Sequence, residues 1–146
     1  MNYYINPDES NLDRLNKEHN WIPNSTQVRR SNSTEDKYQD FIKNELIKYE
    51  SKKDYIIKTL FNNESIIGVL SENMFPYQVS EGTYHYIMWY LENPMSNDLD
   101  YKVINLNILT ELKRLDLYKE NLEYVWYENP KRSGDLYHVH VFFHYK

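Results

Sequence analysis

The segment 137–145, YHVHVFFHY, decides the fold, because it has the strict alternation of a β-strand. One face of this strand carries three histidines and a phenylalanine: His138, His140, Phe142 and His144. The other face is aromatic and aliphatic throughout: Tyr137, Val139, Val141, Phe143 and Tyr145. The second face is predicted to pack on the main core, and the histidine face then looks either onto solvent or into a cavity.

Three more segments predict strands that would pair with this one. They are the apolar run IIGVL at 66–70, the aromatic run YHYIMWYLE at 84–92 and LEYVWYE at 122–128. Alternation puts His85 and Trp89 of the second segment on the same face. The loop chemistry between the last two strands, with a proline and a glycine, predicts a hairpin.

Helical patterns account for much of the remaining chain. NLDRLNKEHN at 11–20 predicts a short helix, and the apolar stripe of residues 31–50 predicts a longer one capped by Ser33. SKKD at 51–54 resembles a capping box that begins another helix. A fourth helix is predicted between the second and third strands, ending near Leu117.

These elements together predict an α+β fold: a single domain with a mainly antiparallel sheet and helices packed on one face. With 146 residues, 40% of them hydrophobic, the chain is long enough for one core. Residues 1–27 predict a partly flexible N-terminal segment. Residues 28–146 are then expected to form the single α+β domain.

Composition excludes several classes of protein. The chain has no cysteine, which excludes disulfides, thiolate zinc sites and cysteine catalysis. No apolar run approaches the ~18 residues of a membrane span, and residues 1–10 lack the features of a secretory signal. A formal net charge of -5 argues against broad binding to nucleic acid. We therefore expect a cytoplasmic protein without a membrane partner, and the sequence does not indicate which protein partner it has.

The residues with the strongest chemical character lie on or just before the predicted strands. His138 and His140 share a strand face, and His85 would join them if its strand lies alongside. The loop NMFPY at 73–77 precedes the strand of His85, and the loop NPKRS at 129–133 precedes the strand of His138. Loops at the ends of a sheet often hold small ligands.

We therefore predict a site at one end of the sheet for a small phosphorylated or otherwise anionic ligand, since histidine and arginine suit such a group. The predicted ligand-binding residues are Arg30, Asn73, Tyr77, His85, Trp126, Lys131, Arg132, His138 and His140. Whether this site catalyses a reaction stays open; a reaction would use His138 or His140 as general acid or base. The competing interpretation is that the histidines are half-buried partners of tyrosine hydroxyls.

No metal and no cofactor are expected at this site. The histidines have no aspartate, glutamate or cysteine beside them in a metal-binding motif. The sequence also has no glycine-rich phosphate loop and no serine nucleophile motif.

The motifs in this region resemble those of a known family, that of the fungal N-acetylglucosamine-induced protein 1. The matching residues are Arg30, Ser31 and Tyr38; Asn73, Phe75, Pro76 and Tyr77; His85 and Trp89; and Trp126, Asn129, Pro130, Ser133, His138, Val139, His140 and Val141. The match runs in order from about residue 28 to residue 146. The resemblance implies a cytosolic protein. The family is a widespread domain of unknown function with fungal and viral-type members, so it implies no particular activity.

Two further resemblances point to nucleotide chemistry. HVHVFFH at 138–144 is similar to the strand of the histidine-triad nucleotide hydrolases, but Phe142 stands where that family has its third histidine. LEYVWYENPKRSG at 122–134 resembles a strand and basic loop of the cap-binding translation initiation factor, which implies a module that binds capped RNA or a nucleotide. There Trp126 would stack on methylated guanine and Glu128 would bond its edge. A third alternative is a structural or protein-interaction protein without a small-molecule site.

Overall fold

The computed structural model of the chain describes residues 12–22, 30–61, 67–92, 101–127 and 136–146. Helices α1 (Leu12–Glu18), α2 (Asn32–Asn44) and α3 (Lys52–Leu60) come first, with a short 3-10 helix (Leu46–Lys48) between the last two. Strands β1 (Gly68–Glu72) and β2 (Tyr84–Tyr90), helix α4 (Tyr101–Arg114), and strands β3 (Leu122–Tyr127) and β4 (His138–Tyr145) follow. Together they form a single α+β domain, which confirms the predicted fold class.

The four strands form one open sheet in the order β1-β2-β4-β3, and every neighbouring pair is antiparallel. Strand β4 therefore lies inside the sheet, between β2 and β3. In this register His140 lies opposite Ile87 of β2 and Tyr127 of β3, while His85 lies opposite Phe142. Because these residues share a face, His85 and His140 are diagonal neighbours.

One face of the sheet packs against α4 and forms the main core. Ile104, Ile108 and Leu112 of α4 are fully buried against Val139 and Val141 of β4. The same layer contains large aromatic side chains: Tyr90, Tyr124, Trp126, Tyr137 and Phe143. Strand alternation therefore identifies the core face of β4 correctly.

Part of the histidine face is covered by α1 and the residues that follow it. Leu15, Trp21 and Ile22 pack against Val125 and Phe142, and all five are buried. These contacts extend the core to residues that precede the predicted start of the domain at residue 28. The physical reason is that these side chains cover apolar surface of β3 and β4 that would otherwise face water.

Helix α3 covers another part of this face. Ile56 of α3 and Phe61 pack with Val69, Trp89 and Leu136. Helices therefore lie on both faces of the sheet, with α4 on one and α1 and α3 on the other, rather than on one face as predicted. The strands require this arrangement because apolar residues occur on both of their faces, and every residue of β3 is buried.

Serine side chains cap both α2 and α3. Ser51 accepts a hydrogen bond from the Asp54 amide at 3.0 Å, as predicted. The cap of α2 is Ser31, which accepts from the Thr34 amide at 3.2 Å, whereas the predicted cap Ser33 is an exposed residue inside the helix. No residue of α2 is buried. Its aromatic side chains therefore do not pack as the core stripe that their spacing predicts.

Some predicted features lie outside the described residues, among them the hairpin loop at 128–135 with Lys131 and Arg132. None of the helices in the described ranges is long and apolar enough to cross a membrane.

Candidate functional site

A cavity of about 160 Å³ lies between the histidine face of the sheet and helices α2 and α3. Its sheet side is formed by Ile87, Trp89, His138 and His140. Aromatic side chains make up much of the rest of its wall: Tyr38, Phe41, Tyr55, Phe75 and Tyr77. Arg30 and Lys52 bring positive charge to it. The histidine face thus looks into a cavity, which is one of the two outcomes the sequence left open.

His85 and His140 are joined by a hydrogen bond beneath this cavity. The distance from His85 Nε2 to His140 Nδ1 is 2.9 Å. His85 is 3% exposed and His140 is 5% exposed, yet His140 lines the cavity. The pair is therefore buried, its hydrogen bond joins two imidazoles rather than an imidazole and a tyrosine hydroxyl, and one member also forms part of the cavity wall.

Hydrogen bonds hold the loop at 73–77 to His85. The Asn73 amide donates to the His85 carbonyl oxygen at 3.0 Å, and the Tyr77 amide donates to His85 Nδ1 at 3.2 Å. Within the loop, the Phe75 amide donates to Asn73 Oδ1 at 2.9 Å. Asn73 and Tyr77, both predicted from the sequence, therefore position the loop as well as lining the cavity.

Arg30 connects this loop to α2. Its Nε donates to the Phe75 carbonyl oxygen at 3.0 Å, and its guanidinium lies 4.2 Å from the centre of the Tyr38 ring. It also forms an ion pair with Glu35 at 3.4 Å. These contacts hold the predicted site residue Arg30 at the cavity wall.

The basic groups at and beneath the cavity lie in a positive electrostatic environment. Burial, followed by the charge of Arg30, lowers the pKa of Lys52 below its usual value. The same two causes lower the pKa of His85 to about 3. Burial, followed by the charges that His85 and His138 would carry, holds the pKa of His140 well below its usual value. Both His85 and His140 are therefore neutral at neutral pH.

His138 lies two residues before His140 and packs against Trp89. Its ring centre lies 4.6 Å from that of Trp89 and 5.7 Å from that of His140. Its Nδ1 lies 3.0 Å from the Leu136 carbonyl oxygen. Since a carbonyl oxygen only accepts, this nitrogen carries a proton, and the acceptor nitrogen of a neutral His138 is Nε2.

The structure does not place the predicted binding residue Trp126 at the cavity. Trp126 is fully buried in the main core, on the sheet face that packs against α4. It lies opposite Val141, whereas its neighbour Tyr127 lies opposite His140. Trp126 is therefore one residue out of phase with the histidine face and cannot stack on a ligand there. The predicted residues Lys131 and Arg132 lie outside the described residues.

His144 shares the histidine face but has a different role. Its Nε2 lies 3.2 Å from Glu123 Oε1, and its ring stacks on Trp21 with the ring centres 3.9 Å apart. His144 therefore ties β4 to the residues that follow α1. Within the described ranges, no group of three or more histidine, cysteine, aspartate or glutamate side chains is placed to hold a metal ion.

Sequence reasoning missed Lys52 and the helical wall of the cavity. Lys52 follows the cap of α3, and Tyr55 and Thr59 follow it at spacings of a helix face; all three line the cavity. Tyr38 and Phe41 of α2 also line it instead of packing in a core. The shared spacing on α3 was a usable signal that these side chains act together.

The fold has a counterpart among known structures. The chain is similar to HTC1, known from its crystal structure, with a TM-score of 0.51 and 16% sequence identity over 96% of this chain and 86% of the HTC1 chain. At this identity the likeness extends to the fold alone. No protein-family model and no curated protein matches this chain.

Proposed function

We propose that the cavity binds a small molecule that carries an anionic group, a phosphate or a carboxylate, on a body about the size of one ring. The observation that carries this proposal is Lys52. Lys52 lines the cavity beside Arg30. Burial and the positive charge of Arg30 both disfavour the charged form of Lys52 and lower its pKa. Among the described residues no carboxylate forms an ion pair with Lys52. A bound anion would supply the missing opposite charge.

The buried histidines support an anionic rather than a cationic ligand. The charge of Arg30 contributes to lowering the pKa of both His85 and His140, and the charge of Lys52 contributes at His140. One positive field therefore extends from the two cations to the sheet side of the cavity. In surroundings of low dielectric such a field acts strongly on a ligand charge.

The size and composition of the cavity limit the uncharged part of the ligand. A volume of about 160 Å³ is close to that of a ~150 Å³ protein cavity that holds benzene. Trp89 and Phe41 offer apolar ring surfaces, while Tyr38 and Tyr55 add hydroxyl groups to the wall. A single ring with one anionic substituent fits both the space and the chemistry.

This proposal is consistent with a place in the N-acetylglucosamine-induced protein 1 family, which we propose on the sequence resemblance alone. We further propose that the protein acts in the cytoplasm, in keeping with its lack of cysteine. The cap-binding alternative loses its stacking residue because Trp126 is 0% exposed. The alternative of a protein-interaction role without a small-molecule ligand leaves the half-buried charge of Lys52 without an opposite charge beside it.

Phenyl phosphate is a suitable probe, because it combines one ring with one anionic group. We expect it to raise the melting temperature saturably and to bind in calorimetry, with weaker binding at high salt. Lys52→Met should weaken binding by about tenfold or more, since a hydrogen bond to a charged group contributes about 1.5–3 kcal/mol.

Lys53→Met is the matched control. Lys53 lies on the same helix at the next position, is exposed and does not line the cavity. Its replacement changes the net charge equally and should leave the affinity nearly unchanged. The proposal fails if phenyl phosphate does not bind the wild type, or if the two lysine variants weaken binding equally.

A further inference from the structure

A chain of hydrogen bonds beneath the cavity determines where His85 carries its proton. The Tyr77 amide lies 3.2 Å from His85 Nδ1, and the Asn73 side-chain amide nitrogen lies 3.4 Å from the same atom. A backbone amide only donates, so His85 Nδ1 is the acceptor. A neutral His85 must then carry its single proton on Nε2.

The same chain determines the proton position of His140. His85 Nε2 lies 2.9 Å from His140 Nδ1, and it is the protonated nitrogen of its ring. His140 Nδ1 therefore accepts this hydrogen bond, and the proton of a neutral His140 is on Nε2. Each hydrogen bond in this series is therefore donated in the same direction, from the loop at 73–77 to His85 and from His85 to His140.

The contacts of His140 show which edge of its ring can reach the cavity. The rings of Tyr77 and Tyr127 are nearly parallel to the His140 ring, at 23° and 17°, with centres 5.4 and 5.2 Å away. The Nδ1 edge of His140 is occupied by His85. His140 nevertheless lines the cavity, so the edge with Nε2 is the one left to reach it.

We infer that His85 is a positioning residue that fixes His140 as a neutral hydrogen-bond donor toward the cavity, so that the ligand presents an acceptor oxygen to His140 Nε2. This inference rests on the proposed function and restricts the chemical group that the ligand presents to His140. The ligand oxygen at this point belongs to an ionised carboxylate or phosphate, or to a carbonyl, and an ammonium or amidinium group is excluded there.

The charges of the groups around His140 are consistent with a neutral Nε2–H donor whose protonation does not change near neutral pH. Those that act on its ionisation are His85 of β2, His138 of β4, Lys52 of α3 and Arg30 beside α2, and none of them is an acid. A contact that used a protonated imidazolium would be lost as the pH rises through the ordinary histidine range. A neutral Nε2–H group keeps its proton over the whole of that range.

The first test determines the tautomer of His140, without a ligand and then with benzoate. Nitrogen-15 spectra of the histidine-labelled protein distinguish protonated from unprotonated ring nitrogens. We expect His140 to carry its proton on Nε2 alone, and we expect benzoate to shift that Nε2–H resonance without changing the tautomer. A His140 that carries its proton on Nδ1, or on both nitrogens at neutral pH, overturns the inference.

The second test is the pH profile of benzoate affinity, which suits this purpose because benzoate stays ionised throughout. Between about pH 5.5 and 7.5 the affinity should stay constant, since no imidazolium takes part. A roughly tenfold loss per pH unit above the ordinary histidine pKa would instead indicate a charged histidine contact.

Variants at His85 separate positioning from simple packing. His85→Phe keeps an aromatic ring against Phe142 but gives His140 no donor, so the spectra should contain both tautomers. Benzoate should bind about twofold more weakly or worse, because only the fraction with the correct tautomer is competent. In His85→Gln the side-chain amide restores a donor near the place of Nε2, and both the single tautomer and the affinity should recover.

The outcomes also distinguish this inference from the proposed function. If benzoate and phenyl phosphate both fail to bind the wild type, the proposed function fails, and the spectra alone still decide the tautomer of His140. If both bind but His85→Phe retains a single tautomer and full affinity, the role of His85 is wrong while the anion site stands. If His85→Phe does not fold, the wild-type spectra and the pH profile of benzoate affinity still decide whether His140 is a neutral Nε2–H donor.

Discussion

Acid should destabilise this protein through His85. The pKa of His85 is about 3 in the folded state, whereas the ordinary value, which applies to the unfolded chain, is 6.5. Above pH 6.5 the residue is neutral in both states and has no effect on the free energy of unfolding. As the pH falls below 6.5, the unfolded state takes up a proton that the folded state does not, and the free energy of unfolding falls.

The size of this effect follows from the difference of one proton. Each pH unit below 6.5 lowers the free energy of unfolding by about 1.4 kcal/mol. By about pH 4.5 the loss from His85 alone is about 2.7 kcal/mol, a large part of the ~5–15 kcal/mol of a typical domain. The loss continues until about pH 3, where the folded state also takes up the proton. His140 shifts in the same direction and adds to the slope.

The assay is urea unfolding at a series of pH values for the wild type and for His85→Gln. Glutamine does not titrate, so the slope of the unfolding free energy against pH should be smaller by about 1.4 kcal/mol per pH unit between about pH 6 and 4. Phe142→Leu serves as the control, because Phe142 stacks on His85 with the ring centres 4.5 Å apart. It should lower stability by about 0.5–3 kcal/mol at every pH and leave the slope unchanged.

Parallel lines for the wild type and His85→Gln would refute the reasoning. They would mean that His85 takes up its proton as readily in the folded protein as in the unfolded chain. The conclusion that the two buried histidines are neutral would then be wrong, and so would the hydrogen-bond direction that depends on it.

Two further predictions concern the corrections to the sequence interpretation. Trp126→Ala should lower the unfolding free energy by about 3–5 kcal/mol. The milder Trp126→Phe should leave the affinity for phenyl phosphate unchanged in calorimetry. A loss of affinity in a well-folded Trp126→Phe protein would show that this residue belongs to the site. Ser31→Ala should lower the unfolding free energy by about 1 kcal/mol in urea titrations because the cap of α2 is lost, whereas Ser33→Ala should change it little; the reverse order would contradict the cap assignment.

Local patterns were sufficient to predict the strands, most of the helices and the division of β4 into two faces. Side chains on a strand alternate with a period of two, so the separation of His138 and His140 from Val139 and Val141 follows from the sequence itself. The cap Ser51 also follows from local sequence, because its partner amide is only three residues away. The approximate site could be predicted for the same reason, since chemically distinctive residues precede or occupy recognisable strands.

The tertiary structure decided which of these residues meet. Strand pairing places His85 diagonal to His140 across 55 residues of chain, and no local pattern encodes a contact at that separation. The packing of α2 and α3 brings Tyr38 and Lys52 to the same cavity, although the helical spacing of Tyr38 alone predicts a place in a core stripe. Trp126 is assigned to the opposite face by the register of β3, which a resemblance between short segments does not determine. The sequence supplied the chemical groups, and their site depends on long-range packing, because burial and hydrogen-bond partners are properties of the assembled fold.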